Sequence, residues 1–529
     1  MFRENALALG VACSLSAFLL KVVQADLVLT GILCICAFLT TSVVAKADRL
    51  YPPGPTGWPV IRNLLQIPQE HPWLAYTAWA DKFGDIIHLE ALGDHLVVLN
   101  SAKAAKDLLE SRSAIYSDRP SLTMAELSGL CVKIPMSPYN DKWRAQRKIV
   151  ALSFNPGAVS HYQPVQELEA RKLVRGIIRS PETLVSQTKT RIAAIIMRVT
   201  YGYTVKHDND PMITIGFEAM ENFGSATEPG RWMVNFIPQL RWMPRWMPGT
   251  SFLRLAENWR AVDDKASWLP YKWCKGRIDK GFMEGPCLVA SVLEQLKGKM
   301  TGEDEASLVW AAASCFGGGL DTNMSTIFTF FLAMLHHPEV QAKAQAEIEA
   351  VVGSECLPSI ADRPSLPFVR SIVAEVYRWF PAAPLGLPHA LSQDDVYESY
   401  LLPKASIVVP NIWYILHDPT EFPQPNEFKP ERFGGDDVKM RNVTDIAFGF
   451  GRRTCPGFHF AEGTIFAIVV TVLATCEVVP KLGQGGIPII PAMDYTNDII
   501  VFPKHIVCDI KPRSARSQEL LEAWASQND

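Results

Sequence analysis

Residues Phe448 to Gly457 read F-G-F-G-R-R-T-C-P-G, a glycine-rich turn that carries one cysteine, Cys455. Arg452 and Arg453 stand just before it, and an apolar, helix-like run from Phe458 to Cys476 follows it. A thiolate is a soft, strongly donating metal ligand. Nearby cations and a helix N-terminus both lower a thiol pKa, and the sequence supplies both. A lone cysteine after a turn is otherwise a buried structural residue, so the decision falls to the surrounding pattern.

That pattern resembles the cytochrome P450 superfamily, the haem-thiolate monooxygenases, whose signature is Phe-x-x-Gly-x-Arg-x-Cys-x-Gly. Phe448, Gly451, Arg453, Cys455 and Gly457 fill every fixed position of it. The resemblance implies that Cys455 is the axial ligand of a haem b iron and that Arg453 pairs with a haem propionate. It also implies a mainly α fold with small β-sheets. A thiolate pushes electron density onto iron and favours O–O cleavage.

Composition sets the outer bounds. The chain has 529 residues and a net charge of −4, so nothing supports nucleic-acid binding. Length alone suggests three or four domains at about 150 residues each. No charged or low-complexity linker divides the chain after residue 60, which favours one large catalytic unit. The 38 prolines predict much loop for a helical protein. The 11 cysteines show no C-x-x-C pair and no zinc spacing, in keeping with reduced cytosolic thiols.

Two apolar stretches open the chain. Ala6 to Leu20 is short for a membrane span; it reads as a cleaved signal peptide, as half of a two-span hairpin or as neither. Leu27 to Ala45 carries no charge and is long enough to cross, with Lys46 and Arg49 after it. Positive flanks favour the cytoplasmic side. The expected organisation is an apolar segment over 1–26, a transmembrane helix over 27–45, a proline-rich hinge over 46–60 and a catalytic domain over 61–529. Pro52-Pro53-Gly54-Pro55 reads as a stiff extended linker, similar to the hinge of microsomal family members.

Further along, Ile86 to Glu90 and Leu96 to Leu99 are strand candidates around Gly93-Asp94, and residues 118–140 are loop-like. Trp143 and Arg147 share a helix face at i and i+4. Alone they read equally as a cation packed on an aromatic; given Cys455 they are similar to the family's propionate-binding pair, since indole and guanidinium N–H groups donate to carboxylates. Residues 231–249 hold Trp232, Trp242, Trp246, Met243 and Met247, read as core or pocket lining, with membrane contact as the rival.

The run from Ser307 to His336 is apolar and helix-patterned, yet Gly317-Gly318-Gly319 interrupts it and Asp321-Thr322 follows. Each glycine costs about 1 kcal/mol against alanine in a helix, and a buried carboxylate is costly unless used or paired. A kink with a hydrogen-bonded Asp-Thr pair is one reading. The other leaves room for oxygen and makes Asp321 and Thr322 a proton relay. The family pattern is Ala/Gly-Gly-x-Asp/Glu-Thr-Thr/Ser; Gly318, Gly319, Asp321 and Thr322 match, and Asn323 departs from it. Glu375 and Arg378, with Arg432 of Pro430-Glu431-Arg432-Phe433, resemble the family's buried brace behind the haem. His389 matches a propionate-partner position after an extended segment from Pro381. Strands are expected at Ile407 to Val409 and Ile499 to Phe502, with a turn at Asn497-Asp498 reaching back to the pocket.

The resemblance therefore implies a membrane-anchored monooxygenase of the endoplasmic reticulum acting on a lipophilic small molecule. No Gly-x-Gly-x-x-Gly unit or flavin domain is apparent, so electrons are expected from an NADPH-cytochrome P450 reductase, with cytochrome b5 as a second donor. Lys142, Arg144, Lys148 and Arg452 form the expected docking patch. The style is that of fungal members, many of which act on terpenoids and other secondary metabolites. The alternatives are a reductase-independent isomerase or peroxygenase, and a haem-binding sensor without turnover.

Overall fold

The computed structural model describes residues 50–528 apart from 229, 283, 284, 297 and 298. The expected membrane helix at 27–45 and the segment before it lie outside the described residues.

The fold is built around one long helix. In chain order the helices that matter for the site are α1 (Asp141–Phe154), α2 (Gln163–Arg179), α3 (Leu184–Tyr201), α4 (Pro211–Thr227), α5 (Ser251–Asp279), α6 (Gly302–His336), α7 (Pro367–Trp379) and α8 (Phe458–Thr475). α6 has 35 residues, or about 50 Å at 1.5 Å per residue. Thr301 starts it with a capping box to Asp304, and three acids fill its first turn, where the helix dipole favours them. Every residue from Asn323 to Leu335 is buried, so its second half runs through the core.

α8 is the other central rod. Among the described residues it is the one helix long and apolar enough to cross a membrane, but most of it is buried inside the protein. Gln166 of α2 ties itself to α8 through the Phe460 carbonyl and the Thr464 hydroxyl, both at 2.9 Å. A polar side chain buried in this way keeps its hydrogen bonds and fixes the register of the two helices.

A four-stranded sheet flanks the helices in the order β1 (Ile86–Ala91), β2 (Asp94–Leu99), β4 (Ile407–Pro410), β3 (His389–Ala390). β1 and β2 form the expected hairpin, with Ile86 opposite Leu99 and Ala91 opposite Asp94. β4 runs parallel to β2 and antiparallel to β3.

Four expectations change. The linker after residue 50 is extended but not free: the Pro53 carbonyl accepts the His88 N–H at 3.0 Å, and a Cβ on Gly54 would lie 2.0 Å from the His88 carbonyl oxygen. It docks along the edge of β1. Ile499 to Phe502 is not a strand; one isolated bridge, Tyr495 to Pro503, closes that arm, and Val501 donates to the Ala382 carbonyl instead of to a ladder. The Asn497 turn clasps residues 69–71, donating to the Gln69 carbonyl and accepting the His71 N–H, while the Asp498 charge still acts on Asp321 of α6. In the Trp-rich segment only Trp232 packs inward, edge-on to Trp259, while Trp242 and Trp246 are 79% and 82% exposed. Three prolines in 238–248 break the helix period that would have turned them inward.

Candidate functional site

The turn carrying Cys455 is placed by α8 on one side and the helix ending at Ala447 on the other. Gly451 has φ +57°, and a Cβ there would sit 2.0 Å from the Leu109 carbonyl oxygen, so both backbone conformation and contact require glycine. The Cys455 N–H donates to the Phe448 carbonyl at 2.9 Å and closes the loop. The Phe448 ring packs edge-on against Phe458 and Tyr377, with centroids 4.9 and 5.2 Å away. Gly457 brings its backbone N–H to the Cys455 sulfur.

The electrostatics correct one expectation. Burial raises the Cys455 thiol above its ordinary value, outweighing the Gly457 N–H and the Arg147 charge that pull it down. The protein alone therefore holds a thiol, and a coordinating metal ion is what would deprotonate it. Among the described residues no group of three His, Cys, Asp or Glu side chains is placed to hold a metal. A metal on Cys455 would bring most of its ligands with it, as a macrocycle does.

Beside the cysteine lies a cationic cluster. Trp143 of α1 is buried, and its indole Nε1–H has no partner. The guanidinium of Arg453 lies 4.4 Å from the indole ring and that of Arg147 lies 5.5 Å from it. Arg147 donates to the Thr454 carbonyl at 2.8 Å. Arg453 donates to the carbonyls of Ser117, Ile134 and Ser137 at 2.8, 3.1 and 2.7 Å. A fourth member escaped the sequence reading: Arg119, whose guanidinium donates to the carbonyls of Pro135, Leu387 and Pro388. Burial, and then the neighbouring Arg453, depress Arg119 well below its ordinary value; burial takes Arg453 down to about 10. The nearby carboxylate is Asp118, which accepts the backbone N–H groups of Arg119 and Tyr139.

Arg119 and Arg453 share the one carboxylate of Asp118, Arg147 adds a third guanidinium beside Arg453, and the orphaned indole donor lies between Arg147 and Arg453, which leaves an excess of buried positive charge. A buried unpaired donor costs about 1–3 kcal/mol. A group carrying two carboxylates would relieve both, so the residues present fit a haem with its two propionates.

His389 stands beside this cluster but not as a cation. Its Nδ1–H donates to the Tyr116 carbonyl at 2.8 Å, and burial, with Arg119 and Arg453, pushes its pKa down to about 3. In that neutral form Nε2 is an acceptor.

Behind the turn, Arg378 forks onto Glu375 through Nε and Nη2, both at 2.8 Å, and both side chains are fully buried. Arg432 Nε and the Lys429 N–H converge on the same carboxylate at 3.1 and 2.8 Å. The remaining Arg378 and Arg432 donors reach the carbonyls of Leu416, Pro423, Pro425 and Glu427.

On α6 the three glycines have different neighbours. A Cβ on Gly317 would lie 2.7 Å from Met220 Sδ, and one on Gly319 would lie 3.0 Å from Ile196 Cδ1; on Gly318 it would meet nothing within 4 Å. Two glycines admit α4 and α3, and one opens space. The helix assignment is continuous through all three. Thr322 Oγ1 donates to the Gly318 carbonyl at 2.8 Å. Asp321 is half-buried, and desolvation raises its pKa to about 6, with Lys189 opposing and Asp498 and Glu221 adding to the rise.

Comparison with known proteins agrees with this geometry. The cytochrome P450 family model matches residues 52–499. Cytochrome P450 monooxygenase 105 of Postia placenta is 54% identical over 90% of this chain and 92% of its own length. Monooxygenase 45 of the same fungus is 50% identical over 98% of both chains, and monooxygenase claR of Ampulloclitocybe clavipes is 35% identical over 92% of this one. A zebrafish cytochrome P450 solved with progesterone superposes with a TM-score of 0.70 over 84% of this chain and 99% of its own, at 23% identity, a likeness of fold. By its family model and by fungal relatives at half identity along nearly its full length, this chain belongs to the cytochrome P450 family, the haem-thiolate monooxygenases.

Proposed function

We propose that this protein is a fungal monooxygenase that inserts one atom of O2 into a lipophilic small molecule of secondary metabolism, of the terpenoid kind, at the cytosolic face of the endoplasmic reticulum. The observation that carries the reading is the three-guanidinium cluster with its orphaned Trp143 donor beside Cys455. Cys455 would ligate the haem b iron. Trp143 Nε1, Arg119, Arg147 and Arg453 would hold the propionates, and His389 would join them only if a propionate drew it into the imidazolium form. When bound, the haem supplies oxygen activation, helped by thiolate donation.

The chain's own residues do the rest. Phe448, Gly451 and Gly457 shape the turn that presents the sulfur. Glu375, Arg378 and Arg432 tie down the segment from Leu416 to Lys429 behind it. Asp321, with a pKa of about 6, can take and give a proton near neutral pH. The Thr322 hydroxyl, held by the Gly318 carbonyl, keeps an oxygen lone pair to receive one.

Membrane attachment has support of its own. Trp58, Val60, Leu65, Met233, Ile237, Trp242 and Trp246 are all exposed large apolar residues. A Cβ on Gly230 would lie 2.9 Å from Gln69 Oε1, so the two segments that carry these residues approach each other there, and exposed apolar side chains of this kind suit a lipid surface. The patch for an NADPH-cytochrome P450 reductase, or for cytochrome b5, would be Lys142, Arg144, Lys148 and Arg452, all exposed; Arg144 and Arg452 both cover the Tyr139 ring.

The test is co-expression with such a reductase, followed by an untargeted product search. Product dependent on NADPH and O2 is expected, together with loss of the thiolate-type reduced carbon monoxide spectrum in Cys455→Ala. Turnover with peroxide alone, or an unchanged Cys455→Ala spectrum, overturns the reading.

A further inference from the structure

Two cysteines far along the chain from Cys455 touch each other. Cys274 lies near the C-terminal end of α5, and Cys287 is the cap residue of the helix Leu288–Gln295. Their sulfurs stand 3.9 Å apart, and both residues are 0% exposed. Among the described residues no other two cysteine sulfurs make such a contact. The chain between them is an exposed turn through Lys280, Gly281, Phe282, Gly285 and Pro286, with left-handed backbone at Gly281 and Gly285.

The two sulfurs are not equivalent. Cys287 Sγ accepts the Ala290 N–H at 3.4 Å, at a helix N-terminus whose dipole favours a thiolate. That backbone donor makes Cys287 the acceptor of the pair, so the Cys274 S–H donates to it. The Cys274 S–H holds the Cys287 thiol below its ordinary value, with the Ala290 and Val289 N–H groups and the Arg198 charge helping and burial opposing. The Cys287 sulfur, and then burial, raise Cys274. A thiolate beside a protonated thiol is the arrangement that lets one sulfur attack an oxidant and the other resolve the product. A disulfide holds its sulfurs at about 2 Å, so the gap must close by about 2 Å, which rotation about χ1 can supply.

We infer that Cys274 and Cys287 form a peroxide-reactive dithiol site that closes to a disulfide and pins the end of α5 to the helix that follows. The oxidant is hydrogen peroxide, because buried sulfurs admit a small neutral molecule and exclude a bulky disulfide. The Cys287 thiolate attacks one peroxide oxygen; the S–O bond forms, the O–O bond breaks, and hydroxide leaves and is protonated to water. The Cys274 sulfur then attacks the Cys287 sulfenic acid; the S–S bond forms, the S–O bond breaks, and the hydroxyl leaves as water with the Cys274 proton. Overall two thiols lose two electrons and one peroxide becomes two waters. The clamp falls where α5 meets α6: Tyr271 and Lys275, on either side of Cys274, both donate to Glu305 in the first turn of α6 at 2.7 Å. The disulfide therefore fixes that corner of the fold.

The experiment treats full-length wild-type holoenzyme with a small molar excess of hydrogen peroxide, alkylates the remaining thiols after denaturation and maps the peptides by mass spectrometry. Cys274 and Cys287 should leave the alkylated pool together, as one linked pair that dithiothreitol releases, and the unfolding temperature should rise by a few degrees until the reductant is added. In Cys274→Ser the resolving thiol is gone, so a cyclic 1,3-diketone should trap a sulfenic acid at Cys287. In Cys287→Ser the attacking thiolate is gone, so Cys274 should stay alkylatable. Wild type in which both cysteines remain alkylated after peroxide, or in which either is linked to another partner, overturns the inference, and that reading needs no variant to fold. Oxidation of Cys274 in the Cys287→Ser protein overturns it as well.

Discussion

Replacing Asp321 by asparagine separates the two things its carboxylate does. The side chain is half-buried on α6, makes no hydrogen bond or ion pair among the described residues, and titrates at about 6 instead of 3.8, chiefly because burial disfavours its charged form. At about 1.4 kcal/mol per pKa unit, ionising it in the fold costs about 3 kcal/mol, or about 2 kcal/mol after allowing for the water that reaches a half-buried group. The folded-state pKa is raised, so the unfolded chain gives up the proton first. The cost is therefore absent below pH 3.8, grows between 3.8 and 6, and is full above 6. Asp321→Asn should be more stable than wild type by about 2 kcal/mol at pH 7.5 and no more stable near pH 4. On the proposed relay it should also lose the proton donor, so product per O2 consumed should fall by about 10-fold or more. The assays are denaturant unfolding at the two pH values and paired measurement of oxygen uptake and product. Equal stability of the two proteins at pH 7.5 would refute the desolvated carboxylate. Unchanged coupling would refute the relay.

Four other substitutions follow from the packing. Glu375→Gln leaves Arg378 and Arg432 buried without their shared counter-charge, a loss of about 3–5 kcal/mol, visible as lowered unfolding temperature and poor haem content. Gly216→Ala puts a Cβ 2.5 Å from the Phe316 ring and should cost about 1–3 kcal/mol through overpacking, whereas Gly318→Ala should keep or gain stability, by up to about 1 kcal/mol, and damage oxygen binding; stability measurements on the pair decide it. Trp143→Phe keeps the ring between the guanidiniums and removes the orphaned donor, so it should fold normally and transfer haem to apomyoglobin faster than wild type.

What the sequence could and could not show divides along a physical line. The Cys455 turn, the Asp321-Thr322 step and the Glu375–Arg378 pair were legible because each is a local pattern whose spacing the backbone fixes: a turn, a helix register, one i,i+3 fork. Arg119 was not, because its place depends on three carbonyls that come from two distant loops, at Pro135 and at Leu387-Pro388. Tyr377 hid for the same reason inside a readable motif, since its contact is with Phe448, 71 positions away. The Cys455 pKa shows the deeper limit. Neighbouring arginines and a following helix argue for a lowered value, yet burial wins, and burial is a property of the whole packed chain that no window of ten residues contains. The same reasoning explains the glycines of α6. Three in a row read as one opening, but the close approach of Met220 and Ile196 accounts for two of them, and only the third, Gly318, faces space. Its carbonyl also accepts the Thr322 hydroxyl, so the opening and the hydroxyl proposed for the relay meet at a single residue.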